Sequence, residues 1–416
     1  MHRWLIIALA TTVPAATAFG ATFHVDARAA PPSGVHRRIS DAVAAAGPGD
    51  TIVVAPGVYA HEDVPITIGP DKAGLTITGS TVFLRDAEGL PVAPVEATAA
   101  VVTGARSGLG YGSLMYVTAD DVTIRGLVID GQTWMAGIVI DGNSAPGRAI
   151  ARFAVTGNGF RFCDICLFTR GASGTIEDNL IGKVSDARRA LNNFVGFGGH
   201  FGAIVAGGRV ADGTEVSVLR NRVSGNNFAG VYGIGDRATA FPPAEDAGLH
   251  EDGALKIVVA QNDFTRNGMA ALHFVAHGNV FNSHPDRESH VVAEVRDNTF
   301  DHNFHHGLAI HVPVGSFNAA ICAAAAPGEV HATLEGNTWE GNEANDALFG
   351  FAAYRLSISG ELRCYVRDHV TIVEGEVPGF DTDSPVCDPL QTGCVPLGNT
   401  LLVNGVEATG ISITPR

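Results

Sequence analysis

The chain has 416 residues, 46% hydrophobic and 17% charged, with 51 Gly, a composition that excludes a disordered or collagen-like chain. Its 27 Lys and Arg against 43 Asp and Glu give a formal charge of −16, which argues against a nucleic-acid partner or an anionic membrane surface. Beyond the N-terminus no run approaches the roughly 20 apolar residues of a membrane helix, so no transmembrane segment is expected in the mature protein.

Residues 1–18, MHRWLIIALATTVPAATA, combine a basic start (His2, Arg3), an apolar run and a small-residue site at Ala16-Thr17-Ala18, which predicts a secretory signal peptide. Export follows, with a secreted, periplasmic or cell-surface destination. The segment ISDAVAAAGPGDTIVVAPGVY predicts a short amphipathic helix over 39–46, a turn at Pro48-Gly49-Asp50 and a strand over 51–54.

Further along, self-similarity sets the architecture. The segments VSVLRNRVSGN, IVVAQNDFTRN, AEVRDNTFDHN and ATLEGNTWEGN each carry two Asn five residues apart: Asn221/Asn226, Asn262/Asn267, Asn298/Asn303 and Asn337/Asn342. Weaker copies place Asn158 and Asn179. An apolar side chain stands two residues after the first Asn each time (Phe160, Ile181, Val223, Phe264, Phe300, Trp339), and another short strand follows, as in GAIVAG, GVYGIG, ALHFVA and GLAIHV. Period-2 alternation in runs this short suits strands. One such coil cannot bury its inner face, so coils must stack. With neighbours about 4.8 Å apart, the first Asn of each pair can pass amide hydrogen bonds up a column and satisfy turn carbonyls.

The expected fold is an all-β solenoid of parallel strands over 19–372, with the N-terminal helix as one cap and a loop-rich cap over 373–416 that contains CDPLQTGC. In an exported protein the six Cys suggest disulfides, Cys387 with Cys394 and Cys322 with Cys364 being plausible pairs, while Cys163 and Cys166 read as buried thiols or a local bridge. A monomer is expected.

The helix followed by PGDTIVVAPGVY, and then coils of N-x-φ-x-x-N with φ an apolar residue, resemble the right-handed parallel β-helix proteins of the pectin-lyase-like superfamily (PbH1-type repeats) over most of residues 22–372. That resemblance implies saccharide along the sheet whose strand follows the Asn turn. Counted from its first residue, each such strand would turn outward Val139, Cys166, Ile204, Tyr232, His273, Ala309 and Phe349, and two residues on Asp141, Phe168, Ala206, Ile234, Val275, His311 and Phe351. On this mostly apolar face Tyr232 and His273 fall on adjacent coils, with His311 diagonal to them, and such groups can do acid/base work. Arg170, Arg209 and Arg237 leave three successive coils and could neutralise a uronate carboxylate. That combination points to a polysaccharide lyase acting by β-elimination on an acidic polysaccharide, with Phe168 and Phe349 among the substrate contacts. The competing reading of the same residues is a non-catalytic surface module binding cell-envelope glycan or protein, with Tyr232 and His273 covered by loops and the arginines paired with acids.

Calcium, which the resemblance also implies, would draw on Asp141, Asp164 and Asp236, with the acids of the loop GDRATAFPPAEDAGLHEDG nearby; these equally suit solubilising charge. Half of the 16 histidines fall between His273 and His311, and SHPDRESH offers His284, Asp286 and His290 as metal ligands or as solvated loop residues. A glycoside hydrolase needs two carboxylates flanking the bond, and this sheet offers essentially Asp141. The lyase therefore stands ahead of the hydrolase.

Overall fold

The computed structural model describes residues 20–30, 34–60, 62, 64–103, 112–131, 135–142, 150–163, 165–182, 203–207, 214–226, 229–234, 253–268, 270–275, 289–304, 306–311, 328–342, 347–350, 370–383 and 400–407. Residues 1–18, where the sequence predicts a signal peptide, and Cys322, Cys364, Cys387 and Cys394, His284 and Asp286, and the long loops lie outside them.

From Asn158 onward each coil runs strand, Asn turn, short strand, strand; the earlier coils turn the same corner without Asn, at Ala55-Pro56 and Gly126-Leu127. One coil comprises Thr214–Leu219, Arg222–Ser224 and Ala229–Ile234, and the next comprises Gly253–Ala260, Asp263–Thr265 and Ala270–Val275. Corresponding strands pair in parallel from coil to coil, giving a first sheet of 13 strands, a second of 9 and a third of 10 among the described residues. The chain is a right-handed parallel β-helix, the hand that parallel crossover connections take.

Alternation decides which side chains fill the solenoid. On the second sheet Phe160, Ile181, Val223, Phe264, Phe300 and Trp339 share one register, and all but Trp339 are fully buried. The Phe264 and Phe300 rings stack at 5.4 Å and those of Phe300 and Trp339 at 4.3 Å.

At the first corner the Asn column is continuous. Asn158, Asn179, Asn221, Asn262 and Asn298 each hydrogen-bond the Oδ1 of the next Asn through backbone N–H and Nδ2–H, ending on Asn337. The weaker upstream copies thus belong to the same ladder as the strong ones. The second Asn of each pair builds a parallel column, Asn226 to Asn267 to Asn303 to Asn342, which the sequence reading did not assign. Before every ladder Asn the chain takes a left-handed residue: Gly157, Asp178, Arg220, Gln261, Asp297 and Gly336 at the first corner, and Gly225, Arg266, His302 and Gly341 at the second. That conformation costs a non-Gly residue about 1–2 kcal/mol; the corner is held by amide bonds that the Asn supplies to buried carbonyls.

At the N-terminal end the sequence reading missed a strand: Thr22–Val25 pairs with Thr51–Val54 and precedes the helix. The helix runs Ile39–Ala45, and its buried Ile39, Ala42 and Val43 join the solenoid core. Arg38 at its N-cap makes no side-chain cap bond; instead the Glu62 carboxylate accepts from the Ile39 and Ser40 N–H groups at 2.7 and 2.8 Å, a favourable place for negative charge. An unforeseen hairpin of Phe83–Arg85 and Pro91–Pro94 is tied to the coils by Arg85 to Asp178 at 3.4 Å and Asp86 to Arg222 at 2.5 Å. Toward the C-terminus parallel pairing continues through Val370–Gly375, Phe380–Asp383 and Thr400–Val403, into the segment that sequence assigns to the cap.

Candidate functional site on the third sheet

On the third sheet, Met115, Ile138, Leu167, Ile204, Val231, Leu272 and Leu308 occupy one register and are fully buried in the core. The adjacent register row holds Tyr116, Val139, Phe168, Val205, Tyr232, His273, Ala309 and Leu348, of which Val139, Phe168 and Tyr232 form an apolar patch outside the main core. Two residues on lie Asp141, Arg170, Gly207, Ile234, Val275 and His311.

This register corrects several expected positions. Ile204 belongs to the core row and Cys166 precedes its strand, so Phe168 and, by register, Val205 stand in the row of Val139 and Tyr232. Phe349 pairs with Ile310, in the row of Ile140, Thr169 and Phe274, not with His273. Phe168 sits beside Val139 instead of Asp141, and the partner of Asp141 is Arg170. The cause is that the corner leading into the third sheet varies in length, and a one-residue slip moves a side chain to the other face.

The corrected register brings together three side chains that sequence had not connected. Arg170 donates to Asp141 through Nε at 2.7 Å and Nη2 at 2.6 Å, a bidentate pair, and the Tyr116 hydroxyl donates to Asp141 Oδ2 at 2.5 Å. The Asp141 and Arg170 side chains are only 0% and 8% exposed, whereas Tyr116 is half-buried. Burial, and then its bond to the Asp141 carboxylate, push the Tyr116 phenol up to about 12. For Arg170, burial works toward a lower pKa, but its bonds to Asp141 outweigh that and raise it. The Tyr116 phenol therefore keeps its proton, and Arg170 its charge, at ordinary pH. Tyr116 escaped the sequence reading because it lies one coil upstream of the first strand considered, in GSLMYV.

The expected Tyr232 and His273 neighbours are opposite one another in register, with ring centroids 4.8 Å apart and planes at 81°. Both are buried, at 7% and 1% exposure. Tyr232 belongs to an apolar patch outside the main core with Ala136, Val139, Ile165, Phe168 and Ala229, against which Tyr116 packs. His311 pairs with Val275, hence diagonal to His273. Arg209, Arg237, Asp164 and Asp236 lie outside the described residues. Among the described residues no group of three or more His, Cys, Asp or Glu could hold a metal. Asp141 does not suit calcium, because both its oxygens are engaged by Arg170 and Tyr116 and a hard cation would have to displace a guanidinium. Cys163 and Cys166 are buried free thiols. No described helix is long and apolar enough to cross a membrane.

The strand registers themselves establish the parallel β-helix. No family model and no curated protein matches the chain. Among solved structures it is similar to pectate lyase Pel9A, at 12% identity over 88% of this chain and 77% of that one with a TM-score of 0.38. It is also similar to DFA-IIIase from Arthrobacter chlorophenolicus A6 in complex with DFA-III, at 13% identity over 94% and 99% with a TM-score of 0.41. A third is endo-xylogalacturonan hydrolase from Aspergillus tubingensis, at 12% identity over 95% and 99% with a TM-score of 0.40.

Proposed function

We propose that this is an exported polysaccharide-directed β-helix protein that engages acidic glycan along the outward face of its third sheet and cleaves it by β-elimination at Tyr232 and His273. The observation that carries the reading is the edge-to-face contact of these two rings on adjacent coils, which places two proton-transfer groups side by side on one face. In this reading the neutral His273 imidazole or the Tyr232 phenolate takes the C5 proton of a uronate. The released electron pair forms the C4=C5 double bond, the C4–O glycosidic bond breaks, and the leaving oxygen takes a proton from the second group. Arg170 is already committed to Asp141, so neutralisation of the uronate carboxylate is assigned to Arg209 and Arg237. His311 is a third candidate for proton transfer.

A second reading, glycan binding without cleavage, is favoured by the burial of Tyr232 and His273. Incubating the purified protein with a panel of acidic polysaccharides, and following the ultraviolet absorbance of unsaturated uronate, separates the two. A signal abolished in His273→Ala or Tyr232→Phe supports elimination. A flat trace with polymer still bound by the folded protein overturns elimination and leaves the binding module. N-terminal sequencing of the protein recovered outside the cytoplasm tests processing after residue 18.

A further inference from the structure

At the N-terminal end of the solenoid the second sheet stops at the strand Gly57–Tyr59, which pairs on one side with Ala100–Thr103; among the described residues no strand pairs with its other side. The Gly57 N–H donates to the Ala99 carbonyl at 2.9 Å. Successive residues of a strand bond to opposite sides, so the N–H and C=O of Val58 are directed to the unpaired edge. That edge opens on a groove of about 440 Å³ between Ala27, the helix start at Arg37 and Arg38, and residues 58–60. The Val58 side chain is 61% exposed. Of the charged groups at the groove, Glu62 is committed to the Ile39 and Ser40 N–H groups, and Asp41 accepts from Arg38 Nε at 3.0 Å. Arg37 is exposed. Its Nε and Nη2 reach the Ala27 carbonyl, both at 3.4 Å, and it meets no carboxylate among the described residues.

From this geometry we propose that the groove is a docking site for an extended acidic segment of a partner protein, which adds to Gly57–Tyr59 as a further strand of the second sheet. Three features select that occupant. An unpaired sheet edge takes up an extended backbone through main-chain hydrogen bonds. Alternate side chains of an added strand fall on one face, where Val58 offers them apolar contact. Arg37, with a guanidinium that no carboxylate engages, suits an Asp or Glu of the segment through a charge-assisted hydrogen bond. The groove shares no residue with the third sheet, so the proposal stands apart from the glycan-directed reading.

Fluorescence anisotropy of a labelled, capped heptapeptide of alternating Glu and Val, titrated with the full chain at physiological ionic strength, tests the proposal. The same peptide with Lys in place of Glu, and one with its backbone nitrogens methylated, are the controls. The Glu peptide should bind about tenfold more tightly than either control, and Arg37→Glu should weaken it about tenfold, the scale of one lost charge-assisted hydrogen bond. Val58→Pro removes the N–H offered to the added strand, at an edge position where Pro is tolerated, and should weaken binding to a similar degree; should that variant fail to fold, the methylated peptide tests the backbone contact alone. No binding of the Glu peptide by the folded wild type, or binding that Arg37→Glu or either control leaves unchanged, overturns the proposal. Self-association in sedimentation that Arg37→Glu abolishes makes a second copy of the chain the occupant, and displacement of the peptide by polygalacturonate fragments makes it a glycan; either result overturns the partner segment.

Discussion

Replacing Asn262 by Ala tests whether the ladder holds the solenoid together. Asn262 is almost fully buried. Its Nδ2–H groups donate to the carbonyls of Val218 at 2.9 Å and Ala260 at 3.0 Å and to Asn298 Oδ1 at 2.9 Å. Its Oδ1 accepts from the Asn221 backbone N–H at 2.8 Å and Nδ2 at 3.0 Å. Truncation leaves the buried Asn221 N–H without that acceptor, at about 1–3 kcal/mol for one orphaned group, and weakens the satisfaction of two carbonyls at about 0.5–1.5 kcal/mol each. The loss should total about 2–6 kcal/mol. Asn337, at the half-exposed end of the column, accepts from the Asn298 backbone N–H and Nδ2 at 3.0 Å each and donates to one carbonyl, that of Val295; water can replace part of this, so Asn337→Ala should cost less, about 1–2 kcal/mol. Urea denaturation followed by far-ultraviolet circular dichroism reads both losses. A cost for Asn262→Ala below about 1 kcal/mol, or no larger than that for Asn337→Ala, would refute the assignment of corner stability to the buried amide column.

Three further outcomes follow from the same coordinates. Arg170→Met strands the buried Asp141 carboxylate and should destabilise by about 3–5 kcal/mol, with adding Asp141→Asn restoring much of the loss; a single variant as stable as wild type in the same denaturation assay contradicts the buried pair. The Tyr116 phenol has a folded pKa raised to about 12 above its ordinary value near 10, so the folded state holds that proton more tightly. Its stabilising contribution is complete below pH 10 and is lost as pH rises through about 12, and stability measured across that window should decline less steeply in Tyr116→Phe. For the thiols, burial and then the Cys166 hydrogen bond push Cys163 well above its ordinary value, so Cys163 and the equally buried Cys166 should resist alkylation in the native protein and react once denaturant is added. Mass spectrometry after timed labelling checks it.

What sequence made legible was whatever must repeat. Asn221, Asn262 and Asn298 recur because every coil turns the same corner and leaves the same carbonyls to satisfy, and Phe264 and Phe300 recur because each coil presents the same gap to its neighbours. The second Asn column was visible as a spacing but not as a ladder, because its role depends on Asn226, Asn267 and Asn303 being stacked as well as repeated. On the third sheet the limit was register. Counting from the first residue of each apolar run set Ile204 and Cys166 on the outer face, since nothing in a short apolar run marks where a variable corner ends and the strand begins.

That limit fell hardest on the chemistry. Asp141 and Arg170 were both singled out, one as a cation ligand and the other as a carboxylate ligand, and each role assumed a free side chain. Their sequence separation is 29 residues, and no propensity or motif links residues so far apart; only the pairing of Val139 with Phe168 brings them into contact. Once paired, Arg170 and Asp141 engage each other through two hydrogen bonds, and neither is the free ligand that its sequence position suggested. A solenoid repeats its interior by necessity and is free to vary its exterior, so the residues that distinguish one β-helix from another are those whose partners depend on coil-to-coil register.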